Sequence, residues 1–164
     1  MSRAFCALAS LPLAGAAPVT VAPVRASSPP LIWQDAAAVR ILCLAGPATR
    51  SDARALQEEL CDAARALAAD GAPVAVSRVD FGDPAVLEPG TVTLLLHASV
   101  RSDGDQRLVA LDLRPFRPGG DHNAILFGAA PRAVRIPGSG PGGDKLEAAL
   151  AAALAETLPW RQGR

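Results

Sequence analysis

Between Val39 and Ala45 the chain is almost continuously apolar, and Gly46-Pro47 then breaks it. A short run of that kind suits a strand buried on both faces. Thr49 is next placed to cap a helix, with Asp52 three residues on as a weaker form of the capping box. Leu56, Leu60, Ala64 and Leu67 recur at helical spacing until Gly71 supplies a left-handed stop. Ala72 to Phe81, with Val74, Val76 and Val79, predicts a second strand. Apolar strand, amphipathic helix and strand in this order require a sheet with a helix laid on it.

The turn-rich stretch from Asp83-Pro84 to Glu88-Pro89-Gly90 leads into Thr91 to Val100, a central strand by its length and apolarity. Ser102-Asp103-Gly104-Asp105 reads as a hairpin loop, because Asp-Gly readily takes the positive φ of a tight reversal. In the returning strand, Leu108 to Phe116, residues Val109, Leu111 and Leu113 share one face while Asp112 and Arg114 share the other. One side of the sheet is therefore expected to be wet there. Ala124 to Phe127 and Ala133 to Ile136 predict a broken edge strand, since Pro131 cannot donate to a central ladder. After the connector Pro137 to Gly143, Asp144 is expected to cap a helix with Glu147 at the reciprocal position, and Leu146, Leu150, Leu154 and Leu158 form its apolar stripe. The expected fold class is α/β: a two-layer sandwich with a mixed four- to five-stranded sheet and two helices, in the order β-α-β-β-β-(β)-α.

Ahead of this pattern, Met1-Ser2-Arg3 and the apolar run Ala4 to Ala17 have the order of an export signal. Two cleavage frames fit: Ala14-Gly15-Ala16 before Ala17, and Val24-Arg25-Ala26 before Ser27. The run is shorter than the roughly 20 residues that cross a bilayer core, and Pro12 interrupts it, so no permanent membrane span is expected. Cys6 follows Arg3-Ala4-Phe5 and precedes most of the apolar run, which does not fit a lipoprotein signal. The expected organisation is a signal and any pro-segment over 1–26, a Pro/Ser-rich linker over 27–35, one α/β domain over 36–160 and a tail over 161–164. The expected location is the periplasm or the exterior.

Of 164 residues 50% are hydrophobic and 20% charged, which is a globular composition, and the 15 prolines and 14 glycines mark loops. Formal charge is zero; loss of Arg3 and Arg25 would leave 14 basic against 16 acidic residues. Without clustered cations, tyrosines or an aromatic ladder, nucleic acid is not an expected partner. Once Cys6 leaves with the signal, Cys43 and Cys61 remain. An even number after export suggests a disulfide, while two separate buried thiols are the alternative. With only His97 and His122 available, no metal-ligand cluster can be read, and no cofactor is expected.

Gly138-x-Gly140-x-x-Gly143 matches the dinucleotide fingerprint, but no second parallel strand can follow its helix, because little chain remains after Pro159. A phosphate-binding loop fails as well, since Asp144 stands where the lysine should be. No Gly-x-Ser-x-Gly elbow is present. His97, mid-strand among leucines, is expected to be a partly buried, hydrogen-bonded residue. Asp121-His122 lies in a polar loop, and Asp80 with Asp83 reads as a solvated turn more than a cation site. Trp33 and Trp160 are expected to pack together and close the domain. Arg114-Pro115-Phe116-Arg117-Pro118 carries two guanidinium groups around an aromatic on a proline-restricted segment, so Arg114, Phe116 and Arg117 form the candidate interface. The alternative for that segment is a solvated strand end.

With these elements placed, the pattern over Val39 to Leu158 resembles the amino-terminal domain of TolB and the related envelope accessory lipoproteins, and it also resembles small exported bacterial proteins of unknown function. The features shared are the alanine-rich helix before Gly71 and the hairpin at Ser102-Asp103-Gly104-Asp105. This resemblance implies a noncatalytic accessory role with an envelope protein as partner. The second functional class is a small periplasmic hydrolase-like or ligand-binding enzyme using His97 or His122.

Overall fold

A computed structural model describes residues 30–46, 50–119 and 128–162. The export segment with both cleavage frames, Thr49, Asp121-His122 and the Ala124 to Phe127 half of the broken strand lie outside them. Five strands form one mixed sheet: β1 (Ala38–Gly46), β2 (Ala75–Val79), β3 (Thr91–Asp103), β4 (Gln106–Phe116) and β5 (Arg132–Pro137). Two helices, α1 (Arg50–Ala69) and α2 (Gly143–Thr157), complete the two-layer α/β fold. Strand order is β2-β1-β3-β4-β5, so β3 is central as its apolarity predicts. β1 pairs in parallel with β2 and β3, and β3-β4 and β4-β5 are antiparallel.

Side chains alternate across a strand, so one cross-strand row assigns a whole face. Cys43, Leu96 and Leu113 stand in one such row, and the disulfide from Cys43 to Cys61 of α1 identifies it as the helix side. On that side Val39 and Ile41 of β1, Val92, Leu94 and Leu96 of β3, and Val109, Leu111 and Leu113 of β4 are buried against Leu56, Leu60 and Ala64 of α1 and Leu146, Leu150 and Leu154 of α2. The bridge has a Cα–Cα distance of 5.7 Å, within the ordinary range for disulfides, and spans a sequence separation of 18.

Several expectations change in detail. β1 is buried on the helix side from Val39 to Cys43; on the other, Leu42 is buried but Arg40 and Leu44 are half-buried, because among the described residues no second helix layer lies on that face. The hairpin strands run further than predicted, to Asp103 and from Gln106, leaving Gly104 at φ 63° to make the reversal. Asp144 does not cap α2: Gly142 is the N-cap residue, without a side-chain cap of its own, and Asp144 sits in the first turn. The reason is tertiary. Glu59, from the neighbouring helix, accepts the Gly142 N–H at 2.8 and 3.1 Å, the task that the third-position Glu of a capping box performs locally.

The two ends of the unit are joined as the tryptophans suggest. Trp33, in a short 3₁₀ turn over Leu31–Trp33, meets Trp160 edge to face with ring centroids 5.6 Å apart. The Trp160 indole donates to the Ala68 carbonyl at 3.0 Å, and Arg161 reaches the Leu67 carbonyl and Asp70. Residues on both flanks of the span 36–160 therefore contribute to the packed unit.

Candidate interaction face

Three of the candidate residues, Arg114, Phe116 and His97, converge on the face of the sheet opposite the helices. Its cross-strand rows are set by register: Ser77, Arg40, Thr93 and Phe116; then Val79, Leu42, Leu95 and Arg114; then Leu44, His97 and Asp112; then Ser99, Ala110 and Ala133. Part of the first row is covered. The 3₁₀ segment Pro84–Leu87 crosses it, with its Val86 carbonyl accepting from the Thr93 hydroxyl at 3.3 Å, and Arg40 donates to Ser77 at 2.7 Å and Glu88 at 2.9 Å. Beyond that segment Leu44 and Leu95 are half-buried and His97 and Ser99 exposed. Phe116 at 39% exposure, with Phe81 at 81% and Leu87 at 63% in the adjoining turns, adds apolar surface. A sheet face carrying half-buried leucines beside exposed aromatic groups has the composition of a contact surface.

The candidate trio divides. Arg114 and Phe116 both point to the uncovered face, Arg114 held by Asp112 at 2.7 Å. Arg117 lies just beyond the strand, where its guanidinium donates to the carbonyls of Ile32 at 3.2 Å, Gln34, and Asp35 at 3.5 Å. These bonds fasten the chain leading to Trp33, so the structure gives Arg117 an internal task.

His97 is exposed, contrary to the partly buried, hydrogen-bonded position expected. The alternation that sends Leu96 and Ala98 to the core sends His97 outward, onto the uncovered side. There it stands opposite Asp112 on the neighbouring strand. Three clefts lined by described residues lie around the Gly138–Asp144 loop, and His97 lines none of these three. Asp83 accepts from the Ala85 N–H at 2.9 Å and caps the 3₁₀ turn, in line with the turn reading; among the described residues no group of His, Cys, Asp or Glu is placed to hold a metal.

The glycine-rich loop has a steric explanation. A Cβ on Gly138 would lie 2.5 Å from the Asp105 carbonyl oxygen, and Gly140 has φ +79°. Gly142, whose amide would face a phosphate, is already bound by Glu59. Across the loop, Arg107 is buried and donates to the carbonyls of Pro137 at 2.9 Å and Gly140 at 2.6 Å. The sequence reading overlooked Arg107 and Glu59. Extending the Val109-Leu111-Leu113 alternation two residues back would have placed Arg107 on the core face; nothing local marks Glu59.

Comparison with protein-family models gives no match, and neither does comparison with curated proteins. Among solved structures the chain is similar to PelC from Paraburkholderia phytofirmans. A substituted PelC in a dodecamer is 12% identical, covering 77% of this chain and 90% of that one at a TM-score of 0.48. A second PelC dodecamer is 15% identical, covering 79% and 90% at a TM-score of 0.44. At those values the likeness carries no statement about activity or assembly.

Proposed function

We propose that this chain is an exported, noncatalytic accessory domain of the cell envelope that binds another protein through its uncovered sheet face. The observation that carries the reading is the one-sided layering: both helices cover one face, and the other presents Leu44, Leu95 and Phe116 with Arg114 beside them. Aromatic and arginine side chains around an apolar centre suit a protein partner, whereas nucleic acid would require an unpaired basic stripe. The Cys43–Cys61 bridge supports an oxidising compartment, and an accessory role is what the resemblance of the sequence pattern to the TolB amino-terminal domain implies. Among the described residues no helix is long and apolar enough to cross a membrane.

A photo-crosslinking residue at position 116, compared with one at the exposed Glu147 on α2, tests this reading in the native envelope. The expected outcome is a discrete partner band from position 116 only, weakened by Arg114→Ala. Identical bands from both positions, or none from position 116, would count against it. The facing pair His97 and Asp112 keeps an enzyme as the second reading. Turnover of any ester or amide by purified protein that disappears in His97→Ala would establish that reading instead.

A further inference from the structure

Arg107 differs from every other charged residue described. It lies on the helix side of β4 at 6% exposure, the one charged residue among the described ones that is buried. Its bonds to the Pro137 and Gly140 carbonyls satisfy donors but supply no opposite charge, and among the described residues no carboxylate pairs with it. A guanidinium withdrawn from water without a counter-ion is strongly disfavoured. Arg107 lines a cleft of about 370 Å³ together with Ala55, Leu56, Gly140, Pro141 and Glu59. Glu59 in turn binds a backbone amide and has no cation paired to it among the described residues. The cleft thus presents one cation and one anion that share its lining without reaching each other.

We propose that this cleft binds a small zwitterion of the α-amino-acid class, its carboxylate on the Arg107 guanidinium and its ammonium on Glu59. Ala55, Leu56 and Pro141 provide an apolar lining for an aliphatic side chain. The volume lies within the range of small-molecule sites, and the planar guanidinium is suited to a carboxylate. This site is on the helix side of the sheet, so it is independent of the protein-binding face.

Titration of the ¹⁵N-labelled full chain with L-valine, followed by NMR, tests the site. Saturable shifts are expected at the Gly140 and Gly142 amides and the Arg107 Nε–H, with a Kd on the order of 1 mM for so few ligand atoms. Isovalerate lacks the ammonium and isobutylamine the carboxylate; each is expected to bind at least about tenfold more weakly. Glu59→Gln retains an oxygen for the Gly142 N–H while removing the charge, and is expected to weaken valine about tenfold with isovalerate unchanged. No saturable shift with valine, equal affinity for valine and isovalerate, or full valine affinity in a folded Glu59→Gln protein would each overturn the proposal.

Discussion

Arg114 and Arg117 have the same side chain, three positions apart, yet they have opposite physical situations. Arg114 is 68% exposed and pairs with Asp112 in water, an arrangement that contributes little to stability. Arg117 donates to three backbone carbonyls of the segment that leads to Trp33. Removing such a donor leaves carbonyls of a packed turn to find new partners. Arg117→Ala is therefore expected to lower unfolding free energy by about 1–1.5 kcal/mol, while Arg114→Ala stays within about 0.5 kcal/mol of the parent. Urea titration measures both. Equal stability of the two variants would contradict the internal task assigned to Arg117, and the same contrast makes Arg114 the cleaner replacement for any test of binding.

At the scale of elements, the joint between β1 and α1 determines how the helix layer sits on the sheet. The Cys43–Cys61 bridge, both cysteines buried, joins them, and Gln57 of α1 accepts from the Ala45 N–H at 3.3 Å close by. A crosslink over this separation restricts the unfolded chain and is worth roughly 3 kcal/mol. The double variant Cys43→Ala with Cys61→Ala should keep the fold, because the core on either side of the bridge is continuous, but unfold at lower urea by an amount corresponding to that loss. A midpoint unchanged from the oxidised parent would show that the bridge does not stabilise the domain. The join at α2 is of a different kind: a carboxylate on one helix holds the first amide of another, so the start of α2 depends on α1 being docked.

At the scale of the whole molecule, the described residues form a helix layer on one face of a mixed sheet and no helix on the other, with Trp33 and Trp160 from near their two ends in contact. The proposal of export makes a thiol count decisive. Cys6 lies within the segment expected to be removed, while Cys43 and Cys61 are bridged. Mature protein from the envelope, unfolded without reductant, is expected to have no alkylatable thiol and an intact mass lacking at least the first 16 residues. A product that starts at Met1 and labels at one cysteine would contradict processing, and one that labels at three would contradict both processing and the bridge.

Element type and order were legible in the sequence because they follow from local periodicity: the two-residue alternation of Val109, Leu111 and Leu113, the leucine spacing of both helices, and the glycine at position 71, which ends its helix at φ 70°. The same alternation separated a wet from a dry face of β4, and the positions of Trp33 and Trp160 near opposite ends of the domain paired them. Contacts between distant residues settled the rest. Gly142 starts α2 because Glu59 reaches it from 83 residues away, and Arg117 turns to the carbonyls of a segment 82 to 85 residues earlier. His97 reads as a partly buried residue from its leucine neighbours, yet its environment depends on whether a second layer covers that face, and among the described residues no helix does. Periodicity says which side chains share a face. What lies against that face is determined only when the chain has folded and brought distant segments together.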